Sequence, residues 1–124
     1  MIGQIIKIRT PFYDMKAKSN RFKIRPGLVI AAADSQDYVV LPISSVSDSR
    51  RIHPEYDIKI DPVSYPDLNL TRVSYIRTHK QTTIYAADLL DPICDMKESY
   101  PDLYKLTIEK RDKFSSEITR QALE

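Results

Sequence analysis

The chain reads as a mainly β fold closed by a C-terminal helix, with short antiparallel strands curling into a small barrel. Three observations predict this. Runs rich in β-branched and aromatic residues recur at short intervals up to Ala86, turn-forming residues separate them, and an apolar stripe at helical spacing occurs only after Pro92. The 124 residues, 42% of them hydrophobic, suit a single domain spanning 1–124 that buries its own core. The barrel is expected over about residues 2–90 and the helix over about 102–122.

The first residues alternate loosely, with Ile6 and Ile8 on one side and Ile5 and Lys7 on the other, as in a partly exposed strand. Pro11 lacks an N–H and is expected to interrupt the ladder. From Tyr13 to Ile24 there is much charge and no period, which predicts a long mobile loop. Leu28 to Ala33 and Tyr38 to Ile43 are β-rich, and the short polar side chains of Asp34-Ser35-Gln36-Asp37 between them suit a hairpin turn. Asp57 to Asp61 alternates with Ile58 and Ile60 inward, Arg72 to Ile76 supplies another strand with Tyr75 toward the core, and Thr82 to Ala86 a short last one.

Pro101 fits the first turn of a helix whose stripe is Leu103, Leu106, Phe114, Ile118 and Ala122. Glu109 and Lys113 are spaced for an i,i+4 pair adding about 0.2–0.5 kcal/mol. Ser-Tyr-Pro-Asp-Leu occurs at 64–68 and again at 99–103 in unlike surroundings, so it reads as reused turn-and-cap chemistry.

Charge is unevenly placed. The net charge is only +2, yet Lys7, Arg9, Lys16, Lys18, Arg21, Lys23 and Arg25 crowd the first part of the chain against Asp14 and Asp34. A polyanion is the natural partner of such a stretch. Lys16, Lys18, Arg21 and Lys23 would attract phosphates, and about four such contacts give a logarithmic salt slope near −3 on a single strand. Phe12, Tyr13 and Phe22 offer stacking faces for unpaired bases, although Phe12 serves equally well in packing.

Other classes are disfavoured. Cys94 is the single cysteine, which excludes a disulfide framework, fits a reducing cytosol and reads as a small buried hydrophobe. The start resembles no signal peptide, and the longest apolar run, Gly27 to Ala33, is far too short to span a bilayer, so a soluble cytoplasmic protein with no membrane partner is expected. Asp88, Asp91 and Asp95 with two distant histidines form no metal motif, and with only Gly3 and Gly27 there is no phosphate-binding loop, so neither metal nor cofactor is expected. His79 has a side chain suited to proton transfer, but an exposed loop histidine is the commoner outcome; His53, between basic residues and Pro54, is expected in solvent or on a phosphate.

The most informative segment is Arg25-Pro26-Gly27-Leu28-Val29-Ile30, followed a strand later by Pro42-Ile43-Ser44-Ser45. Together with Gly3-Gln4-Ile5-Ile6 and Ile76-Arg77-Thr78, in this order and spacing over roughly residues 2–90, these blocks resemble the MazF/PemK toxins. The resemblance implies an SH3-like, PemK-type barrel with a terminal helix, a homodimer, and a cognate antitoxin. It also implies metal-independent endoribonuclease activity on single-stranded RNA such as mRNA, leaving 2′,3′-cyclic phosphate and 5′-hydroxyl ends. The family's catalytic Arg falls on Arg25 and its catalytic Thr on Ser44; the block Arg77-Thr78 lies near the active groove in relatives, and His79, which follows it as a candidate RNA contact, matches no required family residue.

Physically, Arg25 suits the stabilisation of a phosphorane, because its guanidinium is planar, permanently charged and able to grip two phosphate oxygens. It titrates above about pH 12 and is a poor proton acceptor. Ser44 could donate to the same phosphate, as could Ser45 if the strand register differed by one. Two alternatives use the same fold: a CcdB-like toxin that binds DNA gyrase, and an RNA-binding or interaction module that has lost catalysis.

Overall fold

The structure, a computed structural model, describes all of residues 1–124. It is mainly β: a curled half-barrel of antiparallel strands with helices at its C-terminal end. The strands are β1 (Gln4–Asp14), β2 (Ser19–Ala32), β3 (Asp37–Ser44), β4 (Asp57–Ile60), β5 (Ser74–Arg77), β6 (Thr82–Tyr85) and β7 (Leu89–Asp95). Short α1 (Met96–Ser99) and long α2 (Pro101–Leu123) follow. The order across the sheet is β4-β5-β3-β2-β1-β7, with β6 also paired to β3. No helix is long and apolar enough to cross a membrane.

β5 and β6 run along the same edge of β3 as one broken strand. Ile43 pairs with Ile76 and Val40 with Thr82, so three steps along β3 are matched by six on the opposing chain. The surplus residues form a turn containing Thr78 and His79, and Thr78 is buried there, its N–H and hydroxyl donating to Tyr56 O.

The central strands are apolar on both faces because both are covered. Ile5, Leu28, Leu41, Ile43, Ile58, Ile60, Leu68, Ile76, Met96 and Leu103 form the main core beneath the helices. Ile6, Ile8, Val29 and Val40 form a smaller cluster on the other face, edged by Tyr38, Ile84 and Leu89. Gly27 lies where that second face is tightest: a Cβ would run into Ile8 Cδ1 and stand 2.6 Å from Val40 Cγ1. Gly3 is needed for another reason, since its φ of 94° is a left-handed conformation. Its N–H donates to Val29 O and its carbonyl accepts from Lys97 N, tying β1 to β2 and α1.

The largest correction concerns residues 13–24, which form no loop. β1 and β2 continue through them in unbroken register, pairing Pro11 with Phe22 and Asp14 with Ser19. Asp14 Oδ1 accepts from the N–H groups of Lys16 and Ala17, and Lys18 turns the chain at φ 51°. Pro11 is tolerated because β7 pairs with β1 no further than Ile8, leaving one side of the ribbon without a ladder to break. Alternating cations and aromatics on both faces hide the strand period: Arg9 lies 5.7 Å from the Phe22 ring centroid and Lys23 lies 4.4 Å from that of Phe12.

Other expectations change as well. Thr82 to Ala86 is not the last strand, because β7 follows and pairs with β1. On α2 the buried positions are Leu103 and Thr107, whereas Leu106 and Ile118 are exposed. Lys113 pairs with Glu55 instead of Glu109, which faces Lys105 at 4.0 Å. Tyr75 and Cys94 are half-buried.

The repeated pentapeptides do share their chemistry. Pro66 opens a 3-10 turn and Pro101 opens α2, each preceded by a tyrosine with ψ near 65°. Tyr65 and Tyr100 meet edge to face at 5.1 Å, and Tyr100 Oη accepts from Asp67 N. Leu68 and Leu103 enter the same core.

Candidate functional site

β1 and β2 place Arg25 opposite Ile8, on the face of the sheet occupied by Val29 and Val40. The β2–β3 ladder ends with Gly27 opposite Pro42, and Arg25 and Ser44 each lie two residues beyond that pair, where β3 goes on to pair with β5. The two side chains therefore share a face, and both line each of two adjoining cavities. Pro26 and Pro42 stiffen the strands where the two residues emerge.

The first cavity, about 430 Å³, is bordered by Lys7, Arg25, Ser44, Asn69, Thr71 and Arg72 over an apolar floor that includes Ile24, Leu70 and Ile93. The second, about 580 Å³, has Arg9, Arg25, Ser44, Thr82, Tyr85 and Asp88 around Ile8, Val40 and Ile84. Arg25 thus stands between two hollows. Lys7, Arg9, Arg25 and Arg72 form no salt bridge with any carboxylate; Arg9 lies over the Phe22 ring, on the face of the ribbon opposite Arg25. Ser44 is half-buried and pairs across the sheet with Tyr75; Ser45 is exposed and lines the first cavity only.

The other expected residues fall into two groups. Tyr13, Lys16, Lys18, Arg21, Phe22 and Lys23 lie on the projecting ribbon, which leads to Arg25 along β2. There Lys23 and Arg21 follow Arg25 on one face, while Phe22, 63% exposed, and Ile24, 62% exposed, occupy the other. Arg21 is partly engaged by Asp14 at 3.3 Å.

Arg77 and His79 are not in the groove. Arg77 Nε and Nη2 donate to Asp57 at 3.1 and 3.2 Å, and Nη2 also donates to Arg51 O at 2.8 Å. His79 is not an exposed loop histidine: its side chain is 10% exposed, and its ring lies 5.0 Å from His53 and 6.0 Å from Phe114. Burial lowers the His79 pKa, Asp57 opposes this, and Arg77, His53 and Lys80 add to the depression. His53 is likewise structural, its Nδ1 accepting from the N–H groups of Glu55 and Tyr56. Backbone spacing could not reveal this, because the cluster is assembled from two loops and a helix.

Lys7, Arg9, Asn69, Thr71, Arg72 and Asp88 border the cavities although sequence motifs did not single them out. Asn69 carries the best local signal: it ends a 3-10 turn in the left-handed conformation, φ 55°. No group of three or more His, Cys, Asp or Glu side chains is placed to hold a metal ion. Compared with known proteins, the chain matches no protein-family model and no curated sequence.

Proposed function

We propose that the protein is an endoribonuclease that cleaves single-stranded RNA by internal transesterification, as its resemblance to MazF/PemK toxins implies. One observation carries the reading: Arg25 and Ser44, from different strands, both line each of two cavities, one of which Lys7 and Arg72 also border. A strand crossing that junction would set a phosphate on Arg25 with a nucleotide in each hollow. Arg25 would then neutralise the charge that builds on the phosphorane, and Ser44 would donate to one of its oxygens.

The ribbon extends the same positive surface and supplies aromatic faces for unstacked bases. The resemblance adds a homodimer, a neutralising antitoxin and a cytoplasmic setting. The test is digestion of a long unstructured RNA in EDTA by purified protein free of antitoxin, with sequencing of the 5′-hydroxyl ends. Cleavage at preferred sites that Arg25→Ala reduces by about 10²–10³-fold supports the reading. Intact RNA argues for the interaction module or, if gyrase is bound stably, for the CcdB-like alternative.

A further inference from the structure

Transesterification leaves one role at this groove unfilled: a group must accept the proton of the attacking 2′-hydroxyl. A guanidinium holds its protons to above about pH 12, and a serine alcohol is no better as an acceptor. Neither histidine lines either cavity. We infer that Asp88 is this proton acceptor, an inference that rests on the ribonuclease reading.

Asp88 is the only carboxylate bordering either cavity, and it borders the one that also contains Arg25 and Ser44. Strand pairing sets the separation. Ile8 of β1 has Arg25 on one side and Leu89 on the other, so Asp88, the residue before Leu89, stands about two strand spacings or ~10 Å from Arg25 in the backbone. Ile8, against whose cluster Leu89 packs, lines the same cavity between them. That gap suits a ribose phosphate held between carboxylate and guanidinium. The two do not collapse onto each other, since Asp88 forms no salt bridge. Arg9 from β1, Arg25 from β2 and Tyr85 from β6 are the charged and titratable groups that share its cavity.

In the step, the Asp88 carboxylate takes the 2′-hydroxyl proton while the 2′-oxygen forms its bond to phosphorus. The bond from phosphorus to the 5′-oxygen breaks, and that oxygen leaves with the electron pair and takes a proton from water. Asp88 then returns its proton to the hydroxide so formed. Arg25 meets the added charge and Ser44 hydrogen-bonds the phosphate. The products are a 2′,3′-cyclic phosphate and a 5′-hydroxyl.

Asp88→Asn keeps the shape and removes the acceptor. The full chain and this variant are compared in single-turnover cleavage of a short RNA across pH, and in binding of the same RNA. Asp88→Asn is expected to lose about 10²–10⁴-fold in rate and to lose the acid limb of the wild-type pH profile. It should bind RNA at least as tightly, because a negative charge has left the groove. A merely structural role would weaken binding along with the rate, and that result overturns the inference, as does wild-type cleavage by Asp88→Asn. Wild-type protein that cuts no RNA sinks the ribonuclease reading and this inference with it; an active wild type with an equally active variant sinks this inference alone.

Discussion

Arg77 holds Asp57 through two roughly parallel hydrogen bonds of 3.1 and 3.2 Å, and the Asp57 side chain is 0% exposed. The same carboxylate accepts from His53 N at 2.8 Å, so a single buried charge fastens residues 51–57 to the end of β5. Arg77→Ala would leave that carboxylate without its counter-charge, and the expected cost is about 3–5 kcal/mol of stability. Thermal or urea unfolding measures it. RNA cleavage by the folded fraction should be nearly unchanged, because Arg77 borders neither cavity.

His79 makes stability depend on pH. Burial holds its folded pKa below the ordinary value, so near pH 6 the unfolded chain binds more protons than the folded one. Stability is therefore expected to be full above about pH 6.5 and to fall as pH drops through the window just below it. His79 Nδ1 is buried without a hydrogen-bond partner and lies 3.6 Å from Asp57 Oδ1, which limits but does not cancel the loss. Asp48, Glu55 and Asp61 also have depressed pKa values, from hydrogen bonds to Arg50, Lys113 and the Val63 N–H respectively. Their contribution is lost only at lower pH, below about 4.5. Unfolding midpoints at about pH 7.5 and about pH 5 should converge in His79→Gln if His79 is the source.

Much of the fold was legible because local pattern and tertiary role agree. Ile58 and Ile60 alternate inward as expected, Asp34 caps its turn by accepting from Gln36 N and Asp37 N, and Pro101 begins α2. The ribbon was not legible, because neither face from Tyr13 to Ile24 enters the core and no hydrophobic period marks it as strand. β7 was obscured by Asp91 and Pro92, tolerated on a strand that pairs only with β1 and shifts register twice. At the site, Arg25 and Ser44 were readable as motif positions, whereas Asp88 and Asn69 reach the groove only through long-range pairing and a left-handed turn.

Gly27→Ala tests the packing beneath Arg25. The added methyl would collide with Ile8 and crowd Val40 on the strand that carries Arg25, and overpacking of this kind costs about 1–3 kcal/mol. A lowered unfolding midpoint is expected. Cleavage should fall more than the unfolded fraction accounts for, since any shift of β2 moves the guanidinium relative to Ser44.

Ser44 separates hydroxyl chemistry from volume. Ser44→Ala removes the only donor that this side chain offers, with an expected rate loss of about 10–10³-fold when RNA is saturating. Ser44→Thr keeps the hydroxyl and adds one methyl at a half-buried position beside open space. It should retain most of the activity. Equal loss in both variants would mark the position as steric.

If the protein binds RNA as proposed, the ribbon's part is electrostatic, and salt dependence isolates it. Its Lys23 lies two residues from Arg25 on the same face of β2, and Lys16 and Lys18 occupy the exposed turn at the tip. If these and Arg21 each meet a phosphate, the logarithm of the binding constant should fall with the logarithm of salt concentration at a slope near −3. Lys23→Ala should make that slope shallower by about 0.7, with base preference at the cut site retained, because phosphate contacts carry no sequence information. Arg21→Ala should change it less, since Asp14 already partly neutralises that guanidinium. Fluorescence titrations of one short RNA across a salt series read both effects. A slope unmoved by removing Lys16, Lys18 and Lys23 together would place the RNA on the cavities alone.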